Sequence, residues 1–450
     1  MGVALPAQRN GGQTRPAGLA EPTPWRLALL TGVIGSVVAW LRMPALVAGD
    51  LYAEDGPEFV GRSSDGSAGF LTPYAGYQHL LPRLLSTIIS ATTPVERWAM
   101  AVNAAACLTV GAVAGLVVIY SRDVVGWWAT RMALGLAAPM IPIAALEPLG
   151  NFANLHWFML YLMIWALIAT PRSALGTWST ALLALLCSLT EIQCALLLPV
   201  VVWRCLRSSR SFLPIAVGWL AGVVAQVLTF SLATREMLTV APPSLASTVE
   251  GYILNTSISW LSVRPGVLTW LVENTGLWVG VMLLISVMAL ASTAATIGHW
   301  TARFAILTLL YGSIVSWVTS FVLGRNPVFY YSELNADALA PPPLVRWGTA
   351  ASIALVATVP ISLELLVRKW PRFRSAARTC LLVLITLLAT GATFGLPPKD
   401  GGWAMRSAEA RRFCAPHRQT HVVEVAVPPG VNCLPSGVNC KVRLLCSTFR

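Results

Sequence analysis

The sequence predicts an all-α polytopic membrane protein that crosses the bilayer about eleven times and ends in a small, disulfide-stapled α+β external tail. Three observations predict it. Apolar residues make up 56% of the chain, charged residues only 11%, and mean hydropathy is +0.67, against roughly 45–50% apolar usage in soluble domains. Several apolar runs approach the ~20 residues that span a bilayer as a helix. A soluble core has no room for so many helices that are apolar on every side.

The elements follow in order. Residues 1–24, rich in Gly, Pro and Ala and carrying Arg9 and Arg15, read as a disordered cytoplasmic tail. The run at 25–41 lacks a small-residue cleavage site and reads as an uncleaved anchor. Further spans are expected at 97–120, 132–148, 153–169, 177–190, 191–203, 212–233, 276–298, 304–323, 347–367 and 379–395. The stretch "WSTALLALLCSLTEIQCALLLPVVVW" fits either two short helices in a hairpin or one long helix.

Orientation comes from the positive-inside rule, which counts Lys and Arg in short loops. With the N-terminus in the cytoplasm, Arg122, Arg131, Arg172, "RCLRSSR" (204–210), Arg303 and "RKWPRFRSAAR" (368–378) all fall inside. Only the hairpin keeps 204–210 there. The longer loops, poor in Lys and Arg, fall outside, and so does the C-terminal tail.

Although the net charge is +12, five of the 19 acidic residues (Asp50, Glu54, Asp55, Glu58 and Asp65) crowd into one loop after the first span. The loop, 43–79, is external, because a carboxylate near the bilayer centre costs several kcal/mol. The apolar stretch that follows, 79–93, is too short to span and carries Pro82 and Arg83, which suits a helix lying in the membrane interface. Asp65, in "SSDGS", reads as turn chemistry. Glu54-Asp55-Gly56-Pro57 has two readings, a solvated acidic run or a packed pair. Leu51, Tyr52 and Phe59 favour packing, which would raise a carboxylate's pKa and suit it to proton transfer.

Five of the nine cysteines lie in or beside spans, where Cys behaves as a small hydrophobe. The other four, Cys414, Cys433, Cys440 and Cys446, fall in the tail at 396–450. An even set in an external segment reads as two disulfides. Zinc is the rival, but tight C-x2-C pairs are absent. Of three connectivities, Cys414–Cys446 with Cys433–Cys440 is the one expected. "WAMRSAEARRFC" reads as a helix, and "THVVEVAVPPG" and "NCKVRLLC" as paired strands.

An acidic pair in the first external loop, an interfacial helix, about eleven spans and a small external domain together resemble the GT-C class of membrane glycosyltransferases. The strings "AEDG…PYAGYQHLLPRLL" and "NFANLHW" also resemble a group of bacterial GT-C-like membrane proteins. As sequence, the resemblance is confined to 50–85, 147–165 and 324–331. It implies residence in the bacterial plasma membrane and transfer of a sugar from a polyprenyl-phosphate carrier to an envelope glycan, lipid or protein acceptor. It also implies Asp55 or Glu54 as the base that takes the acceptor's proton. The leaving phosphate would need cationic stabilisation, for which Arg83, His79 with Tyr77 beside it, and Arg325 are candidates. Asn154 and His156 would line the acceptor groove or merely cap helix ends. Glu191 falls at the hairpin tip, where solvation would account for it.

No P-loop or Rossmann fingerprint occurs. No cofactor or metal is therefore expected beyond the lipid-phosphate sugar itself. No basic patch with interleaved aromatics points to nucleic acid. The rival readings are a lipid-linked sugar transporter or flippase and a non-catalytic envelope-assembly protein. Against transport stand the lack of internal repeats and of charge within the spans.

Overall fold

The computed structural model describes residues 23–207, 212–232, 240–333, 344–392, 402–417, 419–428 and 440–449. The expected N-terminal tail and Cys433 lie outside them. In chain order the helices are α1 (Pro24–Leu41), α2 (Leu80–Thr92), α3 (Trp98–Tyr120), α4 (Trp128–Met140), α5 (Leu155–Ile168), α6 (Ala174–Thr190) and α7 (Leu198–Arg207). There follow α8 (Leu213–Leu232), α9 (Leu245–Ile253), α10 (Pro265–Thr275), α11 (Trp278–Ile297), α12 (Trp300–Gly324), α13 (Gly348–Lys369), α14 (Arg374–Thr390) and α15 (Gly402–Cys414).

Among the described residues, seven helices are long and apolar enough to cross a membrane: α1, α3, α8, α11, α12, α13, and α14 with the turn before it. The chain is a multi-pass membrane protein. The other four expected spans are shorter helices. The 13-residue α4 contains Pro139 and gives way to a 3-10 turn at Pro142–Ala145, because proline removes a helical donor and clashes with the preceding turn. Arg42, 1% exposed, donates to the freed carbonyls of Pro139 and Met140 and to that of Leu388. All 14 residues of α5 are buried, so protein rather than lipid surrounds it.

Helices α6 and α7 form the expected hairpin, joined by a 3-10 turn at Ile192–Leu197. Arg204 on the returning arm donates to the Ala169 carbonyl at 2.9 Å, at the end where α5 stops and α6 begins. Small residues allow close helix approach. A Cβ on Gly111 of α3 would stand 2.4 Å from the Gly32 carbonyl oxygen of α1, the small-residue packing that lets membrane helices touch backbone to backbone.

Charge divides the bundle into two ends. At one end Arg172 pairs with Asp123 at 2.6 Å, Arg368 with Glu364 at 2.5 Å, and His299 Nε2 meets the Val124 carbonyl at 3.2 Å. The basic loops therefore gather there. The acidic loop, the turn before α5, the hairpin tip and the C-terminal segment gather at the other.

That C-terminal segment is a cap of α15 and two antiparallel strands, β1 (Val422–Ala426) and β2 (Lys441–Leu445), with Val422 opposite Leu445. The expected Cys414–Cys446 disulfide is present; Cys440 is also disulfide-bonded. The cap grips the acidic loop and the turn before α3. Arg406 pairs with Asp50 at 2.5 Å, Trp403 Nε1 donates to the Val95 carbonyl at 2.7 Å, and Arg411 pairs with Glu96 at 2.8 Å. Gly56 is required beneath it, since a Cβ there would stand 2.7 Å from Val442.

Candidate functional site

The acidic pair sits on a short turn that the cap holds in shape. Ala53 has φ +49, a left-handed conformation uncommon for a residue with a Cβ. Its N–H donates to the Pro428 carbonyl at 2.7 Å. After this kink come Glu54 and Asp55, then a π-helical turn at Gly56–Gly61 opened by Pro57, as the Gly-Pro step predicts.

Asp55 is fully buried. Its Oδ2 accepts the Phe152 N–H and its Oδ1 the Ala153 N–H, both at 2.9 Å. Burial pushes its pKa up to about 8, against the lowering by these two backbone hydrogen bonds. Both oxygens are occupied, so Asp55 ties the acidic loop to "NFANLHW". The packing expected from its apolar neighbours is real.

Glu54 has a different environment. Its Oε1 accepts the Tyr74 O–H at 3.2 Å and stands 3.6 Å from Arg346 Nη2. Arg346 also donates to Glu147, so one guanidinium lies between two carboxylates. Burial opposes its charge, but Glu147 and Glu54 together hold its pKa above the ordinary arginine value. Glu54 Oε2 is buried and has no hydrogen-bond partner among the described residues. Burial, then Glu54, keeps the Tyr74 phenol far above its usual range, and Tyr52 is pushed up to about 12, first by burial and then by Glu147. Both therefore remain neutral donors.

A second cluster adjoins the first through Tyr74, whose ring centroid is 5.4 Å from that of His79. His79 packs on Tyr77 at 4.2 Å and lies 5.9 Å from His156. Burial, and then His156, holds its pKa well below the usual imidazole value. His156 Nδ1 is hydrogen-bonded to Glu191 Oε2, and Glu191 Oε1 accepts the Gln193 N–H at 2.7 Å. Glu191 is 1% exposed, which corrects the solvated-tip expectation: the hairpin tip is packed into the protein. Asn154 is buried and accepts the Trp157 indole N–H at 3.2 Å, leaving its Nδ2 without a partner among the described residues.

Two further candidates are Arg83 and Arg325. Arg83, 1% exposed, lies under the acidic loop, where it donates to the Glu58 carbonyl, and at 3.2 Å to that of Thr72, and stacks 5.0 Å from the Phe59 ring. Burial brings its pKa down to about 10 despite the Glu58 carboxylate 3.7 Å away. It braces the loop. Arg325, at the end of α12, reaches the Val240 carbonyl at 3.4 Å; among the described residues no contact joins it to Glu54. Asp65 forms the expected exposed turn, accepting the Ser67 N–H at 2.8 Å.

Arg346, Tyr74 and Glu191 are the site residues that sequence reasoning missed. The available signal for Arg346 was its position in "PPPLVRW", directly before a span on the side where Lys and Arg are scarce. A cavity of about 300 Å³ lies at the basic end, lined by Tyr120, Arg122, Asp123, Arg172 and Thr180 among others. It is remote from these clusters.

No family model matches the chain, and no curated protein or solved structure does either. What the fold defines is a multi-pass membrane protein. At one end of its bundle a buried carboxylate cluster and a histidine–glutamate pair lie under a disulfide-bonded cap.

Proposed function

We propose that this protein is a membrane glycosyltransferase. It moves a sugar from a polyprenyl-phosphate carrier to an envelope acceptor at the external face of a bacterial plasma membrane, with Glu54 as general base. The observation that carries the reading is the unpartnered Glu54 Oε2, one oxygen of a buried carboxylate whose other oxygen is held by Tyr74 and faces Arg346. A base needs a lone pair free to take the acceptor's proton. Of the acidic pair, Glu54 has an oxygen with no partner among the described residues, whereas each Asp55 oxygen is held by a backbone N–H, which favours Glu54 for the role left open between them.

The expected reaction is a single displacement. The acceptor oxygen attacks the anomeric carbon while its proton passes to Glu54, and the lipid phosphate leaves. In this scheme Asp55 fixes the loop, Arg346 sets the charge beside the base, and Tyr77, His79, His156 and Asn154 contact the substrate. The orientation supporting it puts the basic end inside, the N-terminus in the cytoplasm and the cap outside. About eleven crossings would result, with the four shorter helices completing the bundle. The test is incubation of the purified full chain in nanodiscs with a panel of polyprenyl-phosphate hexoses and an envelope lipid and glycan extract. Transfer of labelled hexose supports the reading, and its absence across the panel removes it.

A further inference from the structure

The His156–Glu191 pair is built more tightly than a contact residue requires. Glu191 is the C-cap of α6. One of its oxygens is fixed by the Gln193 N–H at 2.7 Å and the other by His156 Nδ1. Gln193 is anchored in turn by Ser320 Oγ at 2.5 Å, and the His156 ring packs on Trp157 with centroids 4.0 Å apart. The imidazole thus has its orientation set by a carboxylate, while Nε2 makes no hydrogen bond among the described residues. This is the arrangement by which a carboxylate directs an imidazole to give or take a proton at its far nitrogen.

We propose that His156 is the general acid of the same transfer, giving its Nε2 proton to the departing phosphate, with Glu191 as its positioning residue. The proposal rests on the glycosyltransfer reading above. Three observations support it. Of the cations expected to meet the phosphate, Arg83 is turned to the Thr72 and Glu58 carbonyls, with only its Nη2 lacking a hydrogen bond among the described residues, and Arg325 reaches the Val240 carbonyl; Arg346 stands between Glu54 and Glu147. The titratable groups against His156 are Glu191, Tyr77 and His79, and His79 is held neutral by burial, so it does not compete as an acid. Finally, Tyr74 touches both Glu54 and His79, which puts the base and the acid on either side of one ring pair.

The proton balance closes. The acceptor O–H gives its proton to Glu54 as its oxygen bonds to the anomeric carbon. The bond from that carbon to the phosphate oxygen breaks, and the oxygen keeps the electron pair and takes the His156 proton. Exchange with water then restores both groups. A phosphomonoester has its second pKa at about 6, so the departing oxygen can hold a proton near neutral pH.

The test is chemical rescue. His156→Gln should lower transfer from polyprenyl phosphate about 10²–10³-fold, and Glu191→Gln should do so to a smaller degree. His156→Gly should lose as much and recover transfer when imidazole is added. No loss in His156→Gln, or a loss in His156→Gly that imidazole does not restore, overturns the acid role and leaves the glycosyltransfer reading standing. A wild-type protein that transfers no hexose overturns both readings.

Discussion

Asp55 Oδ2 accepts the backbone N–H of Phe152 at 2.9 Å, 97 residues away in the chain. With the adjacent bond to Ala153, this contact joins the acidic loop to the turn that opens α5. The two members of the acidic pair therefore have different consequences when changed.

Asp55→Asn replaces an acceptor oxygen by an NH2 facing a backbone donor. A buried donor left unsatisfied costs about 1–3 kcal/mol, so this variant should lower the melting temperature of the purified protein, whatever its effect on activity. Differential scanning fluorimetry in detergent checks this. A wild-type melting temperature in Asp55→Asn would mean that the two amide bonds do not hold the loop.

Asp55 also sets a pH dependence. Its folded pKa of about 8 lies above the ordinary carboxylate value of 3.8, so the folded state retains a proton that the unfolded state gives up. The stabilisation is therefore fully present below about pH 4 and is lost as pH rises through about 8. Melting curves from pH 5 to 9 should decline for wild type and flatten for Asp55→Asn. Parallel declines in the two proteins would assign the slope to another group.

The cap should depend on its disulfide. Cys414 and Cys446 are 32 residues apart in sequence, and closing a loop of that size contributes roughly 2–4 kcal/mol. Cys414→Ser should loosen the grip on Asp50 and Ala53 and expose the 402–449 segment to limited proteolysis. Mass spectrometry of non-reduced peptides should recover the Cys414–Cys446 pair; free thiols at both positions would refute it.

Reporter fusions test the orientation. Fusions within 204–210 and 368–378 should report the cytoplasm, and fusions after 395 the external side. A cytoplasmic cap would move the whole acidic end, Glu54 included, to the wrong face for an external acceptor.

The apolar runs, the hairpin and the two charged ends were legible in the sequence, because hydropathy and Lys/Arg placement act locally and read directly as burial and sidedness. So were the α15 helix, the β1–β2 pair and the Cys414–Cys446 pairing, which fall in one short segment. The partnerships within the site were not. Arg346 meets Glu147 across 199 residues and Asp55 meets Ala153 across 98, and no local pattern encodes such separations. The partners of Arg83 were hidden for a related reason: an arginine on a short apolar helix looks free to meet a headgroup, and only the folded loop reveals the carbonyls it also serves. Glu191 misled because a hairpin tip reads as solvated until His156 is placed against it.

The central claim, Glu54 as base, is tested most directly by the rate of hexose transfer from polyprenyl phosphate by Glu54→Gln. The amide preserves size and can still accept the Tyr74 hydrogen bond, and Arg346 keeps Glu147, so the variant should fold. Loss of a general base typically removes a factor of about 10²–10⁴ in rate. The account predicts a fall in that range from a folded protein that still melts cooperatively; transfer by Glu54→Gln at the wild-type rate would contradict it.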